Sequence, residues 1–164
     1  MNKAFASAAA LLLSASLGGA LAGGAGAPVV GGGQVQAATP EAVTAALRAA
    51  GYTVTPNPTR ADEDPSVTVR AGGRELDVWF SGCREGSCAR VTASHGWDPA
   101  DEADLNLDLV NEWNGNYYTQ AYVYEGRYYL DSTMPLRGGY TRAALSAWMT
   151  DYLSDLEDFE GELS

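Results

Sequence analysis

Val67-Thr68-Val69-Arg70-Ala71-Gly72-Gly73-Arg74-Glu75-Leu76-Asp77-Val78-Trp79-Phe80 is the stretch whose reading decides the fold. Val67 and Val69 alternate with Thr68 and Arg70, and Leu76, Val78 and Phe80 alternate with Asp77 and Trp79. A period of two belongs to a strand with one buried face. Gly72-Gly73 between the two runs suits a two-residue hairpin turn. Such a turn sets Val69 opposite Leu76 and Val67 opposite Val78, so apolar meets apolar. The same register sets Arg70 opposite Glu75 on the other face, a favourable cross-strand pair.

A third strand follows this hairpin, with Ala89, Val91 and Ala93 on one face and Arg90, Thr92 and Ser94 on the other. On the N-terminal side, Tyr52 to Thr55 reads as a short strand, and the Pro-, Asn- and Asp-rich run from Pro56 to Pro65 reads as a loop. Before it, Thr39 is a good N-cap with Pro40 at the first helical position and Glu41 near the positive end. Val43, Ala46, Leu47 and Ala50 make the helical stripe, and Gly51 stops it.

Downstream, Asn106 caps a second helix, with Leu105 and Val110 as its hydrophobic staple. Leu109, Val110 and Trp113 form its buried side, and Gly115 is expected to end it. A hairpin turns on Glu125-Gly126, with Ala121 and Val123 facing Leu130 and Tyr128. Thr141, preceded by Gly138-Gly139-Tyr140, caps a last helix whose stripe is Leu145, Trp148, Met149, Tyr152, Leu156, Phe159 and Leu163. The order is helix, about four strands, helix, two strands, helix. The fold class expected is α+β, an antiparallel sheet of about 5–6 strands with three helices on one face.

The chain has 164 residues, 21 acids and 10 bases, for a net charge of −11. The only lysine is Lys3, and every acid lies at Glu41 or later. Such acidity repels phosphate backbones and anionic lipid, so nucleic acid is not an expected partner. Met1-Asn2-Lys3 and the apolar run Ala4–Ala22, centred on Leu11-Leu12-Leu13, have the pattern of a secretory signal. Serines and glycines dilute the run, and no basic stop-transfer cluster follows, so no membrane insertion is expected after cleavage. Small-x-small sites end at Ala22, Ala27 and Ala37; Pro28 hinders the second, and the third, Val35-Gln36-Ala37, is the expected site because it leaves least Gly-rich tail. The expected division is residues 1–37 as signal and Gly/Ala-rich lead and 38–164 as one domain. The destination is the periplasm or the exterior.

Cys83 and Cys88 stand four residues apart, which is not the spacing of a redox C-x-x-C site or a zinc knuckle. An oxidising destination favours a disulfide. Placing the two opposite each other sets Phe80 against Val91 and Val78 against Ala93, with both sulfurs on the outer face. His95, the single histidine, reads as a strand-end structural residue; the competing reading is an envelope enzyme in which it works with nearby acids, but no nucleophile or orienting partner is in view. Asp62-Glu63-Asp64 lacks the alternating oxygens of a calcium loop, and Asp155, Glu157, Asp158 and Glu160 form the polar face of a helix. No cofactor, metal or catalytic set is expected.

The aromatics are the candidate site. Tyr118, Tyr122 and Tyr124 share a side of the last hairpin with Tyr129 opposite Tyr122, and Trp79 also points away from the core. Clustered Tyr and Trp suit a partner surface, for a peptide, a protein or a second copy. They equally suit cross-strand packing that only steadies the sheet.

Gly82-Cys83…Cys88, Val110-Asn111-Glu112-Trp113-Asn114, Ala121-Tyr122-Val123…Tyr129-Leu130-Asp131 and Gly138-Gly139-Tyr140-Thr141 before a Trp148-containing helix occur in an order that resembles the YbjN-like domain family. The resemblance spans about Thr39 to Phe159. It implies a fold like that of type III secretion chaperones, often dimeric, in a family described as sensory-transduction regulators. It implies no reaction and no ligand. Tyr117-Tyr118 stands where family members usually carry a basic-aromatic pair. Asn111, Trp113 and Asn114 are the best motif positions, with a structural role expected: Trp113 in the core, the Asn side chains tying the helix end to the next strand. The function expected is an exported, non-catalytic domain that binds a protein or peptide in a regulatory or chaperone-like role, the alternatives being the His95 enzyme and a structural envelope or stress protein.

Overall fold

The structure, a computed structural model, describes residues 33–60, 63–99 and 105–163. Most of the expected signal and lead, and Asp62 of the acidic loop, lie outside the described residues. The chain is α+β. Strands β2 (Thr53–Pro56), β3 (Ser66–Ala71), β4 (Arg74–Ser81), β5 (Arg90–Trp97), β6 (Gln120–Tyr124) and β7 (Arg127–Pro135) form one antiparallel sheet in the order β2-β3-β4-β5-β7-β6. Two short strands, β1 (Val35–Gln36) and β8 (Tyr140–Thr141), pair separately. The helices are α1 (Pro40–Ala49), α2 (Leu107–Asn116) and α3 (Arg142–Glu162).

The first hairpin has the register its apolar alternation demands. Val69 pairs with Leu76 and Val67 with Val78, and Gly72 and Gly73 take φ of 57° and 79° in the turn. Arg70 and Glu75 meet at 2.9 Å on the opposite face. Phe80 pairs with Val91 and Val78 with Ala93, as expected. The Cys83–Cys88 disulfide closes the connection, and an Arg84–Ser87 bridge lies inside it. One detail differs from the expectation that both sulfurs stand on the outer face. Cys88 is buried in the core cluster, because the chain at Ala38 lies across it and the Ala38 carbonyl accepts the Cys88 N–H at 2.7 Å.

All three expected N-caps form. Thr39 Oγ1 accepts from Ala42, Asn106 Oδ1 from Asp108 and Leu109, and Thr141 Oγ1 from Ala144, at 3.1–3.2 Å. Each satisfies amide groups that a helix start leaves without partners. Helix α2 runs past Gly115 to Asn116, with Tyr117 as its C-cap; the ring of Tyr117 stacks on Trp113 at 3.7 Å, and this packing outweighs the glycine as a stop signal. Strand β5 continues beyond Ser94 to Trp97, because His95 and Trp97 keep the alternation and pair with Leu130 and Tyr128.

The core lies between the helices and one face of the sheet. Leu76, Val78, Phe80, Val91, Ala93 and Leu130 meet Val43, Leu47, Leu145, Met149, Tyr152, Leu156 and Phe159, all essentially closed to water. Phe159 is the junction: its ring lies against Trp97 at 5.4 Å, Trp113 at 4.9 Å and Tyr128 at 6.3 Å, joining α3, β5, α2 and β7. Phe159→Ala should cost about 3–5 kcal/mol, the range for a buried Phe truncated to Ala. Urea unfolding of the variant checks this, and a loss below about 1 kcal/mol would show that the junction is not structural.

Candidate functional site on the open face of the sheet

The helices cover one face of the sheet. On the other, strand alternation places Thr68, Arg70, Glu75, Asp77, Trp79, Arg90, Thr92, Ser94, Gly96, Tyr122, Tyr124, Arg127, Tyr129, Asp131 and Thr133. Much of this face is tied down by its own hydrogen bonds. Thr92 and Thr133 hydroxyls meet at 2.8 Å, and Asn57 links Ser66 and Thr68.

Of the five aromatic residues singled out by sequence, the structure gathers three. Tyr122 and Tyr129 are cross-strand partners whose rings stack at 5.3 Å, and Tyr124 lies tilted against Tyr129 at 6.5 Å. The Arg127 guanidinium sits 5.6 Å from the Tyr129 ring centre, a cation–π contact. Trp79 stands apart. It pairs with Thr92, whereas Tyr129 pairs with Gly96 four positions on, about 13 Å along the strand. Tyr118 also stands apart: it precedes β6, is fully exposed, and borders a cleft of about 450 Å³ with Thr119, Ser132, Trp148, Asp151 and Asp155 at the sheet edge. Its shared parity with Tyr122 does not place it on the platform, because the chain leaves the strand before Gln120.

Three residues that complete the platform were not among the candidate site residues read from the sequence. A Cβ at Gly96 would come within 2.8 Å of the Tyr129 ring, so the missing side chain is what lets that ring lie over the strand. Asp131 accepts the Tyr122 hydroxyl at 3.3 Å. Ser94 pairs with Asp131 on one side and Asp77 on the other. The alternation through Tyr129 would have found Asp131, and a glycine inside a strand pattern would have marked Gly96.

Burial holds the Asp131 carboxyl above its usual range, against the opposing effect of hydrogen bonds from Ser94 and Tyr122. Burial, then the neighbouring Asp131 charge, pushes the Tyr122 hydroxyl up to about 12. The platform therefore sets the Tyr122 phenol beside a desolvated Asp131 carboxyl.

His95 lies on the helix-covered side. Its Nδ1 is 2.9 Å from the Glu75 carbonyl, and its ring meets Trp97 edge-on at 4.7 Å. A carbonyl accepts, so Nδ1 carries the proton in this contact. Among the described residues no hydroxyl or thiol is hydrogen-bonded to the imidazole, and no group of three or more His, Cys, Asp or Glu side chains gathers as metal ligands. Glu63 of the acidic loop is paired with Arg60 at 3.1 Å.

The Asn-Glu-Trp-Asn block has the geometry of a brace. Trp113 is buried and donates Nε1–H to Thr119 Oγ1 at 3.0 Å, and Thr119 donates on to Asp155 at 2.9 Å. Asn114 accepts from Ala121 N–H at 2.8 Å and donates to its carbonyl at 2.9 Å, so one side-chain amide pairs with β6 as a neighbouring strand would. The YbjN family profile, described as a putative bacterial sensory transduction regulator, matches residues 39–164.

The chain belongs to the YbjN family. That description names a regulator and no reaction; Trp113 and Asn114 fix the helix-to-strand connection behind the open face. No curated protein and no solved structure matches the chain, so the likeness to type III secretion chaperones rests on the family resemblance alone.

Two outcomes follow from the platform. Gly96→Ala forces the Tyr129 ring to move; near-ultraviolet circular dichroism should lose tyrosine signal and stability should drop by roughly 1–3 kcal/mol. An unchanged spectrum would mean that the stack does not need the gap. Because the folded pKa of Asp131 is raised, the folded state holds this proton more tightly than the unfolded state, and the associated stability is present in acid and lost as pH rises through the raised value. Asp131→Asn removes that loss. Thermal melts between about pH 4 and pH 7 should therefore show the variant gaining on the parent as pH rises; parallel curves would contradict the assignment.

Proposed function

We propose that this YbjN domain works outside the cytoplasm as a non-catalytic binding module, holding a basic segment of a partner protein on the Tyr122–Tyr124–Tyr129 platform. The observation that carries this reading is an aromatic platform at one end of a sheet face that the described helices leave uncovered, with Tyr124 58% exposed. Tyrosine rings give large contact area with little side-chain freedom to lose, the property that concentrates binding energy in such residues.

Charge selects the partner. The chain carries −11 overall, and Asp131 and Asp77 flank Ser94 beside the platform. Tyrosine faces attract cations, and Arg127 already occupies that position over Tyr129. A basic segment is complementary to the net charge and to these acids; a second copy of this acidic chain meets like charge. The Cys83–Cys88 bond and the apolar Ala4–Ala22 run support an oxidising destination. Among the described residues no helix is long and apolar enough to cross a membrane.

Panning random peptides displayed on phage against the purified protein tests the reading. Lys- and Arg-containing sequences should be enriched, and a synthetic peptide from the enriched set should bind the Tyr124→Ser variant about tenfold more weakly, or about 1.4 kcal/mol. Tyr124 is exposed, so its replacement leaves the core intact. Enrichment of neutral or acidic peptides, or equal affinity for both proteins, overturns the proposal. Sedimentation of the same two proteins distinguishes the second-copy occupant: a dimer abolished by Tyr124→Ser would assign the face to self-association instead.

A further inference from the structure

Residues 34–38 belong to the folded unit. Val35 and Gln36 pair antiparallel with Thr141 and Tyr140. Gly139, one residue before that partner strand, makes room for them: a Cβ there would fall against Val35 Cγ1 and within 2.6 Å of the Gln36 carbonyl oxygen, and its φ is 91°. Only glycine meets both demands without strain. The Ala38 carbonyl accepts the N–H of Cys88, and Thr39 caps α1.

These contacts discriminate among the three small-x-small sites, given the export reading on which this inference rests. Cleavage after Ala37 would strip β1 from Gly139. It would also leave a charged α-amino group on Ala38, one residue before the cap of α1, where unpaired N–H groups already concentrate positive charge. The Ala38–Cys88 hydrogen bond would hold that ammonium in place. Cleavage after Ala27 puts Pro28 immediately after the scissile bond. Cleavage after Ala22 has neither defect. It follows the Ala4–Ala22 run directly, at the small-x-small site Ala20-Leu21-Ala22.

We propose that signal peptidase hydrolyses the Ala22–Gly23 bond and that the mature chain keeps Val35–Gln36 to clasp Tyr140–Thr141. Water supplies the oxygen of the new Ala22 carboxylate, and Gly23 gains the free amino group.

Expression of the full chain in a Gram-negative host, followed by intact mass and N-terminal sequencing of the periplasmic protein, reads the outcome directly. A chain beginning at Gly23 is expected. A chain beginning at Pro28 or Ala38 overturns the proposal, whereas an unprocessed chain retaining Met1 in the cytosol removes the export reading itself. Hydrogen exchange on the exported protein tests the clasp separately. Val35 is 64% exposed, so Val35→Pro spares the core. Of the consecutive amides at 140 and 141, the one directed at β1 should exchange at least tenfold faster in this variant while the six-stranded sheet keeps its rates; unchanged exchange at both residues overturns the clasp.

Discussion

The contact of the Phe159 ring with Trp97, Trp113 and Tyr128 is the interaction on which the rest of the molecule depends, because it is where α3, β5, α2 and β7 meet. A two-layer domain must press its helices against a single sheet face, and aromatic rings supply the most buried area per residue for that purpose. Polar links surround the junction and give it direction. The Tyr152 hydroxyl donates to the Leu130 carbonyl at 2.8 Å, Trp148 Nε1 donates to Ser132 Oγ at 2.9 Å, and the Tyr128 hydroxyl accepts the amide of Asn106 at the start of α2. Each is a polar group carried into the core by a ring and matched there, as buried donors and acceptors require.

Covering one face leaves the other to solvent, and the composition of that face follows. The Thr92 and Thr133 hydroxyls bond to each other across strands, and Tyr122 donates to Asp131 while its ring still presents apolar area. The same Tyr122–Tyr129 stack therefore serves two ends. It shields β5 at Gly96, and it forms a flat platform beside the exposed Tyr124. Stability and recognition are not alternatives here: a platform that packs against its own sheet is already ordered before a partner arrives, which lowers the entropy lost on binding.

The disulfide loop and the Val35–Ala38 segment share a single boundary. Ala38 hydrogen-bonds to Cys88, and Val35–Gln36 lies on the Tyr140–Thr141 strand that leads into α3. The start of the folded unit is thus held by the two segments that close the sheet connection and open the last helix. The Gly138-Gly139 pair, visible in sequence as a break before a helix, also serves as a seat for another strand.

Legibility followed the range of the interactions. Alternation, caps and turn residues act within a few positions, so the Val67–Phe80 hairpin, the Thr39, Asn106 and Thr141 caps, the Tyr122–Tyr129 pairing and the Cys83–Cys88 bond could all be read from the chain. The insertion of β7 between β5 and β6 could not be read, because it depends on His95 and Trp97 finding Leu130 and Tyr128 across more than thirty positions. Nor could the separation of Trp79 and Tyr118 from the platform, the burial of Cys88, or the strand at Val35–Gln36. Within the strands, sequence by itself determined which residues face the core and which face away, since parity along a strand is a local property. Only tertiary structure decided which outward residues become neighbours, since that depends on strand order and on where the chain leaves the sheet, and no periodicity encodes either.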